Sequence, residues 1–96
     1  MSSGETDPVM KQLREQISDV DRAIIDAVNR RLKLVAQLKR YKDEQGIDFV
    51  DPEREEWMFA YQSRANRGPL SPEGLERLFA TVLELTKEEL RREEAG

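Results

Sequence analysis

The chain has 96 residues, no histidine, no cysteine, 38% charged side chains and a net charge of −4. That length fits one domain with a modest core, and a chain this small often leans on a partner for stability. Disulfides, thiolate chemistry, histidine general bases and the commonest zinc ligands are excluded, and the acidic balance argues against nucleic acid.

Taken in order, Met1–Asp7 has no signal-peptide character and reads as a disordered tail. No apolar run approaches the roughly 18 to 20 residues of a membrane span, so a soluble cytoplasmic protein is expected. Asp7-Pro8 reads as an N-cap followed by proline at the first helical position, where a missing N–H costs nothing. The next glycine or proline is Gly46, which predicts one helix from Pro8 to about Gln45 with Gly46 as its stop. Along it Met10, Leu13, Ile17, Val20, Ile24, Ala27, Leu34, Leu38 and Tyr41 recur mostly at alternating three- and four-residue steps. Ile47 to Val50 is too short and unpaired for a strand; it reads as a loop that tucks Phe49 or Val50 inward. Asp51-Pro52 repeats the cap signature and starts a second helix, with Trp57, Met58, Tyr61 and Ala65 on one face. Asn66-Arg67-Gly68-Pro69 ends it. Ser71-Pro72 starts a third helix, carried by Leu75, Leu78, Phe79, Val82, Leu83 and Leu90 to about Arg92. Residues 93–96 are expected to fray. The expectation is an all-α domain of three helices over residues 8–92.

The first helix is too long for a monomer. It would span about 57 Å at 1.5 Å per residue, whereas a compact chain of this length is only about 32 Å across. Its apolar stripe must extend past its own domain, and two-fold pairing with a second copy is the commonest way to bury it. A homodimer is expected.

Several polar residues occupy places where apolar ones belong. The heptad of Met10, Ile17 and Ile24 continues to Arg31 and then Leu38. Taken alone, Arg31 fits a snorkelling side chain or an interhelical ion pair as well as a ligand contact. Lys42 shares its face about 16 Å further along. Arg14 lies about 26 Å from Arg31 along the axis, too far for both to grip one small ligand, unless an antiparallel partner helix returns its own Arg14. On the second helix Asp51 is most simply a cap, and Arg54 and Glu55 first-turn surface charges. Thr86 interrupts the third stripe, where a buried hydroxyl commonly bonds the carbonyl four residues back. Trp57, Phe59, Tyr61 and Phe79 read as core or interface, and Lys87–Glu94 as a solvated helix end. Together these groups suit a small polyanion such as a dicarboxylate, with nothing equipped for nucleophilic attack.

The residues resemble the all-helical class of chorismate mutases. The resemblance rests on Leu13-Arg14-x-x-Ile17-x-x-x-Asp21, Asn29-Arg30-Arg31-Leu32, Lys42, Asp51-Pro-x-Arg54-Glu55, and Leu78-Phe79 leading to Thr86. It implies an intertwined antiparallel homodimer that converts chorismate to prephenate without cofactor or metal. By the same resemblance, Arg31 and the partner copy's Arg14 would clamp carboxylates. Lys42 would bind a carboxylate and the ether oxygen, and Glu55 would accept from the ring hydroxyl. The backbone at Asp51 would lie near that hydroxyl, Arg54 would support the anionic site, and Thr86 would stand where the family has a small hydroxyl residue. One position departs from the family. Where it usually has glutamine or glutamate, the second donor to the ether oxygen, this chain has Leu90; Lys87, on a neighbouring face, is the substitute on geometry. The scaffold also serves isochorismate-pyruvate lyases and amino-chorismate mutases, which the sequence does not separate cleanly from the mutase. A weakly active or regulatory chorismate-binding module that needs a shikimate-pathway enzyme as partner stays open too, as does a non-catalytic helical interaction module.

Overall fold

The computed structural model describes residues 7–48 and 51–95. They form three helices, α1 (Pro8–Gln45), α2 (Pro52–Ala65) and α3 (Pro72–Ala95), with no strand among the described residues. The expected inward turn of Phe49 or Val50 lies outside them, as do Met1–Thr6 and Gly96. Two units divide the chain inside α1, between Arg31 and Leu32.

All three helix starts use the expected chemistry. Asp7 Oδ1 accepts from the Val9 N–H at 2.8 Å and from the Met10 N–H at 3.3 Å. Asp51 Oδ1 accepts from the Arg54 N–H at 3.3 Å, and Ser71 Oγ from the Gly74 N–H at 3.0 Å. In each case a short polar side chain satisfies a backbone donor that the helix leaves without a partner, and proline follows at the first position. At the far end of α1, Gly46 adopts φ +66°, the left-handed conformation that glycine takes without a side-chain penalty. The Ile47 N–H then donates to the Lys42 carbonyl at 2.8 Å and the Gly46 N–H to the Asp43 carbonyl at 3.3 Å. That pair of bonds is a Schellman motif.

The C-terminus departs from the sequence reading. α3 is assigned to Ala95, three residues past the expected end at about Arg92. The reason lies in its last acidic residues: Glu93 pairs with Arg40 at 3.6 Å and Glu94 with Lys39, so the helix end has partners on α1. Two charges expected to be merely solvated thus hold a tertiary contact.

In the first unit no described residue is buried, and Leu13, Ile17, Val20, Ile24 and Ile25 are each more than half exposed. The buried residues of the second unit are Ala36, Leu75 and Leu90, with Thr86 the one buried polar residue among those described. α2 packs on α3, and a cavity of about 210 Å³ between them is lined by Met58, Phe59, Phe79, Ala80 and Leu83. Leu78, expected in the α3 stripe, is instead about half exposed. With so few buried side chains, each counts. Leu75→Ala should lower unfolding stability by about 2–3 kcal/mol, read as a lower urea midpoint; an unchanged midpoint would mean that this core does not hold α3.

Candidate active site

Two of the expected site residues belong to the first unit. Arg14 is exposed, and Arg31 is half-buried at the last position before the unit boundary. Burial pushes the Arg31 guanidinium below its ordinary value. A partly dehydrated cation gains more from an anionic ligand than a fully hydrated one, because the local dielectric is lower. Arg14 and Arg31 stand on one helix about 26 Å apart. The chain by itself does not bring them together.

The others lie in the second unit. Lys42 is half-buried in the last turn of α1, and its own carbonyl is the acceptor in the Schellman motif. The backbone that carries this ammonium is therefore fixed by the glycine that follows it. Asp51 spends its side chain as the α2 cap, while its carbonyl accepts from the Glu55 N–H at 3.1 Å. Glu55 is exposed and contributes to the lining of the α2–α3 cavity, as do Gln62 and Glu76. Arg54 lays its guanidinium over the Trp57 ring, 4.3 Å from the centroid, and Trp57 in turn stacks on Tyr61 at 5.4 Å and 7°.

On α3, Thr86 is only 6% exposed, and its Oγ1 donates to the Val82 carbonyl at 2.7 Å. The expected bond to the carbonyl four residues back is present. Lys87 is exposed, whereas Leu90 is buried and lines a second cavity with Ala36, Lys39, Arg40 and Asp43. Lys39 was not singled out by the sequence. Its ammonium bonds Glu94 and, at 3.2 Å, Asp43, and these bonds raise its pKa above the ordinary lysine value. The stacking of Arg54, Trp57 and Tyr61 is a feature the sequence reading did not contain; both rings were expected in a core or interface. The available signal was the spacing Arg54, Trp57, Tyr61, which places all three on one face of α2.

The profile of the chorismate mutase type II family matches residues 13–90. The chain belongs to that family. Its match takes in every site residue named above, from Arg14 to Lys87, and ends at Leu90. The chain is 31% identical over 80 residues to a bifunctional chorismate mutase/prephenate dehydratase of Stutzerimonas stutzeri, covering 77% of this chain and 22% of that protein. A protein of the same description from Pseudomonas aeruginosa is 28% identical over 79 residues, with the same coverage. The T-protein of Enterobacter agglomerans is 44% identical over 48 residues, covering 50% and 13%. The chain thus spans about a fifth, or less, of the length of these curated relatives. Among solved structures it is similar to chorismate mutase from Thermus thermophilus. Form II gives a TM-score of 0.78 at 31% identity over 86% of this chain and 94% of that one. Form I gives 0.75 at 32% identity over 80% and 96%. The three-helix chorismate mutase fold expected from the sequence is the one observed.

Proposed function

We propose that the chain is a chorismate mutase, an isomerase that converts chorismate to prephenate by an intramolecular Claisen rearrangement. The observation that carries this reading is the family match over residues 13–90, and the resemblance of the sequence to the family assigns Arg14, Arg31, Lys42, Arg54, Glu55 and Thr86 to the site. In the rearrangement one C–O ether bond breaks as one C–C bond forms within the same molecule, so no proton shuttle, nucleophile or cofactor is needed. What remains for the protein is to hold a compact conformer and to stabilise the charge that grows on the ether oxygen.

The half-buried Arg31 and the exposed Arg14 of a second copy would bind carboxylates in fork geometry. Lys42 would lie against the ether oxygen, Glu55 would accept from the ring hydroxyl, and Asp51, Arg54 and Thr86 would complete the pocket. The apolar side chains of α1 that the single chain leaves exposed, Leu13, Ile17, Val20 and Ile24, support an antiparallel homodimer in which each site borrows Arg14. Among the described residues no helix is long and apolar enough to cross a membrane. We place the enzyme, with its domain over residues 8–92, in the cytoplasm. Two relatives carry the mutase and prephenate dehydratase names on one chain, which supports an enzyme acting on prephenate as its partner.

Leu90 favours a second reading. Being apolar, it supplies no donor to the ether oxygen, and removing one such donor typically costs about 2.7–4 kcal/mol of transition-state stabilisation. Lys87 would have to supply that charge, or the chain would be a weak mutase or a chorismate-binding module completed by its partner. Three measurements separate these readings. Purified protein with chorismate and no added metal should deplete chorismate and yield prephenate. Tight binding of a bicyclic transition-state analogue without turnover would establish the binding module instead. Pyruvate released from isochorismate would establish the lyase.

A further inference from the structure

We propose that Trp57 is a positioning residue for the substrate-binding Arg54, held in place by Tyr61. The inference rests on the mutase reading above. Arg54 sits in the first turn of α2, two positions after the proline that opens it. That is an unfavourable place for a cation, because the exposed N–H groups of a helix start carry partial positive charge. Left to itself, the long arginine side chain would sample many rotamers in solvent, and ordering it on binding would weaken the complex. Trp57 changes this. Its ring lies one turn further along the same face, with the guanidinium carbon 4.3 Å from its centroid. The ring is itself braced from the next turn by Tyr61, nearly parallel at 7°. Among the described residues no ion pair engages Arg54.

The chemistry of the stack matters more than its strength. A carboxylate partner would fix Arg54 only by occupying the N–H donors that a substrate carboxylate needs. An aromatic face instead takes the π surface of the guanidinium and leaves the in-plane donors available for a bidentate bond. Trp57 and Tyr61 therefore preorganise the fork while leaving it open. Trp57 and Tyr61 are each about half exposed in the single chain, and Trp57 stacks with both the guanidinium and the Tyr61 ring.

Trp57 is the chain's one tryptophan, so the contact can be followed directly. Steady-state kinetics on chorismate should show Trp57→Ala raising KM about fivefold with kcat within about twofold of wild type, and Trp57→Phe restoring most of the affinity. In the Arg54→Ala background, Trp57→Ala should add nothing further, since its effect passes through Arg54. An unchanged KM in Trp57→Ala, or effects of the two substitutions that simply multiply, would overturn the proposal. The emission of Trp57 in an otherwise intact chain gives an independent readout: Arg54→Ala should shift it, and an unshifted spectrum would show that the stack does not form. Absence of turnover in the wild type would overturn the mutase reading itself; an emission shift in Arg54→Ala under those conditions tells the two failures apart.

Discussion

Arg31→Ala should lower kcat/KM for chorismate about a thousandfold, with helicity unchanged. The size follows from what is removed. A guanidinium paired with a carboxylate in a half-buried position contributes charge-assisted, bidentate hydrogen bonds, and truncating one partner of such a pair costs about 3–5 kcal/mol because the other charge is left unmatched. Arg31→Lys should recover only part of the loss, since an ammonium is a point charge without the planar fork. Stability separates this role from a structural one. Arg31→Lys, which keeps the charge and most of the aliphatic stem, should leave the melting temperature unchanged while turnover stays low. A marked fall in melting temperature with normal turnover would mean that Arg31 serves packing.

Arg14→Ala should cost about a hundred- to a thousandfold in kcat/KM, by the same loss of a carboxylate contact. Its signature differs in two respects. Arg14 is exposed in the chain, so no stability change is expected. Its defect should also be repairable by a second chain that carries Arg14 but lacks another site residue. A position about 26 Å along α1 from Arg31 cannot serve the same ligand from the same helix, and an antiparallel partner turns that distance into proximity.

The helices were legible because their ends are written in short-range chemistry. Asp7-Pro8, Asp51-Pro52 and Ser71-Pro72 each specify a cap and a first turn without reference to the rest of the chain, and Gly46 specifies a stop. Thr86 was legible for the same reason, since a hydroxyl on a buried helical face has a carbonyl within reach four residues back. The end of α3 was not. Glu93 and Glu94 read as solvated charges because their partners, Arg40 and Lys39, lie more than fifty residues earlier, and only the fold brings them close. Leu78 reads as part of the α3 stripe, yet the fold leaves it about half exposed, whereas the exposure of the α1 stripe follows from the helix length alone. The stacking of Arg54, Trp57 and Tyr61 was not legible for a different reason. Large aromatic residues are usually core, and hydrophobicity alone does not reveal that a ring face is taken by a neighbouring guanidinium. Of the candidate site, the sequence offered residue types and spacings; the fixing of the Lys42 backbone by the Schellman motif and the stacking of Arg54 on Trp57 required three dimensions.

The most direct measurement mixes the two inactive variants. Arg14→Ala and Arg31→Ala chains, unfolded together in equal amounts and refolded, should pair at random, so that about half of the dimers are heterodimers. In each heterodimer one site receives an intact Arg31 from one chain and an intact Arg14 from the other, while the second site lacks both. Activity on chorismate should therefore return to about a quarter of the wild-type value. A mixture that stays at the level of its two parents would contradict a site shared between chains.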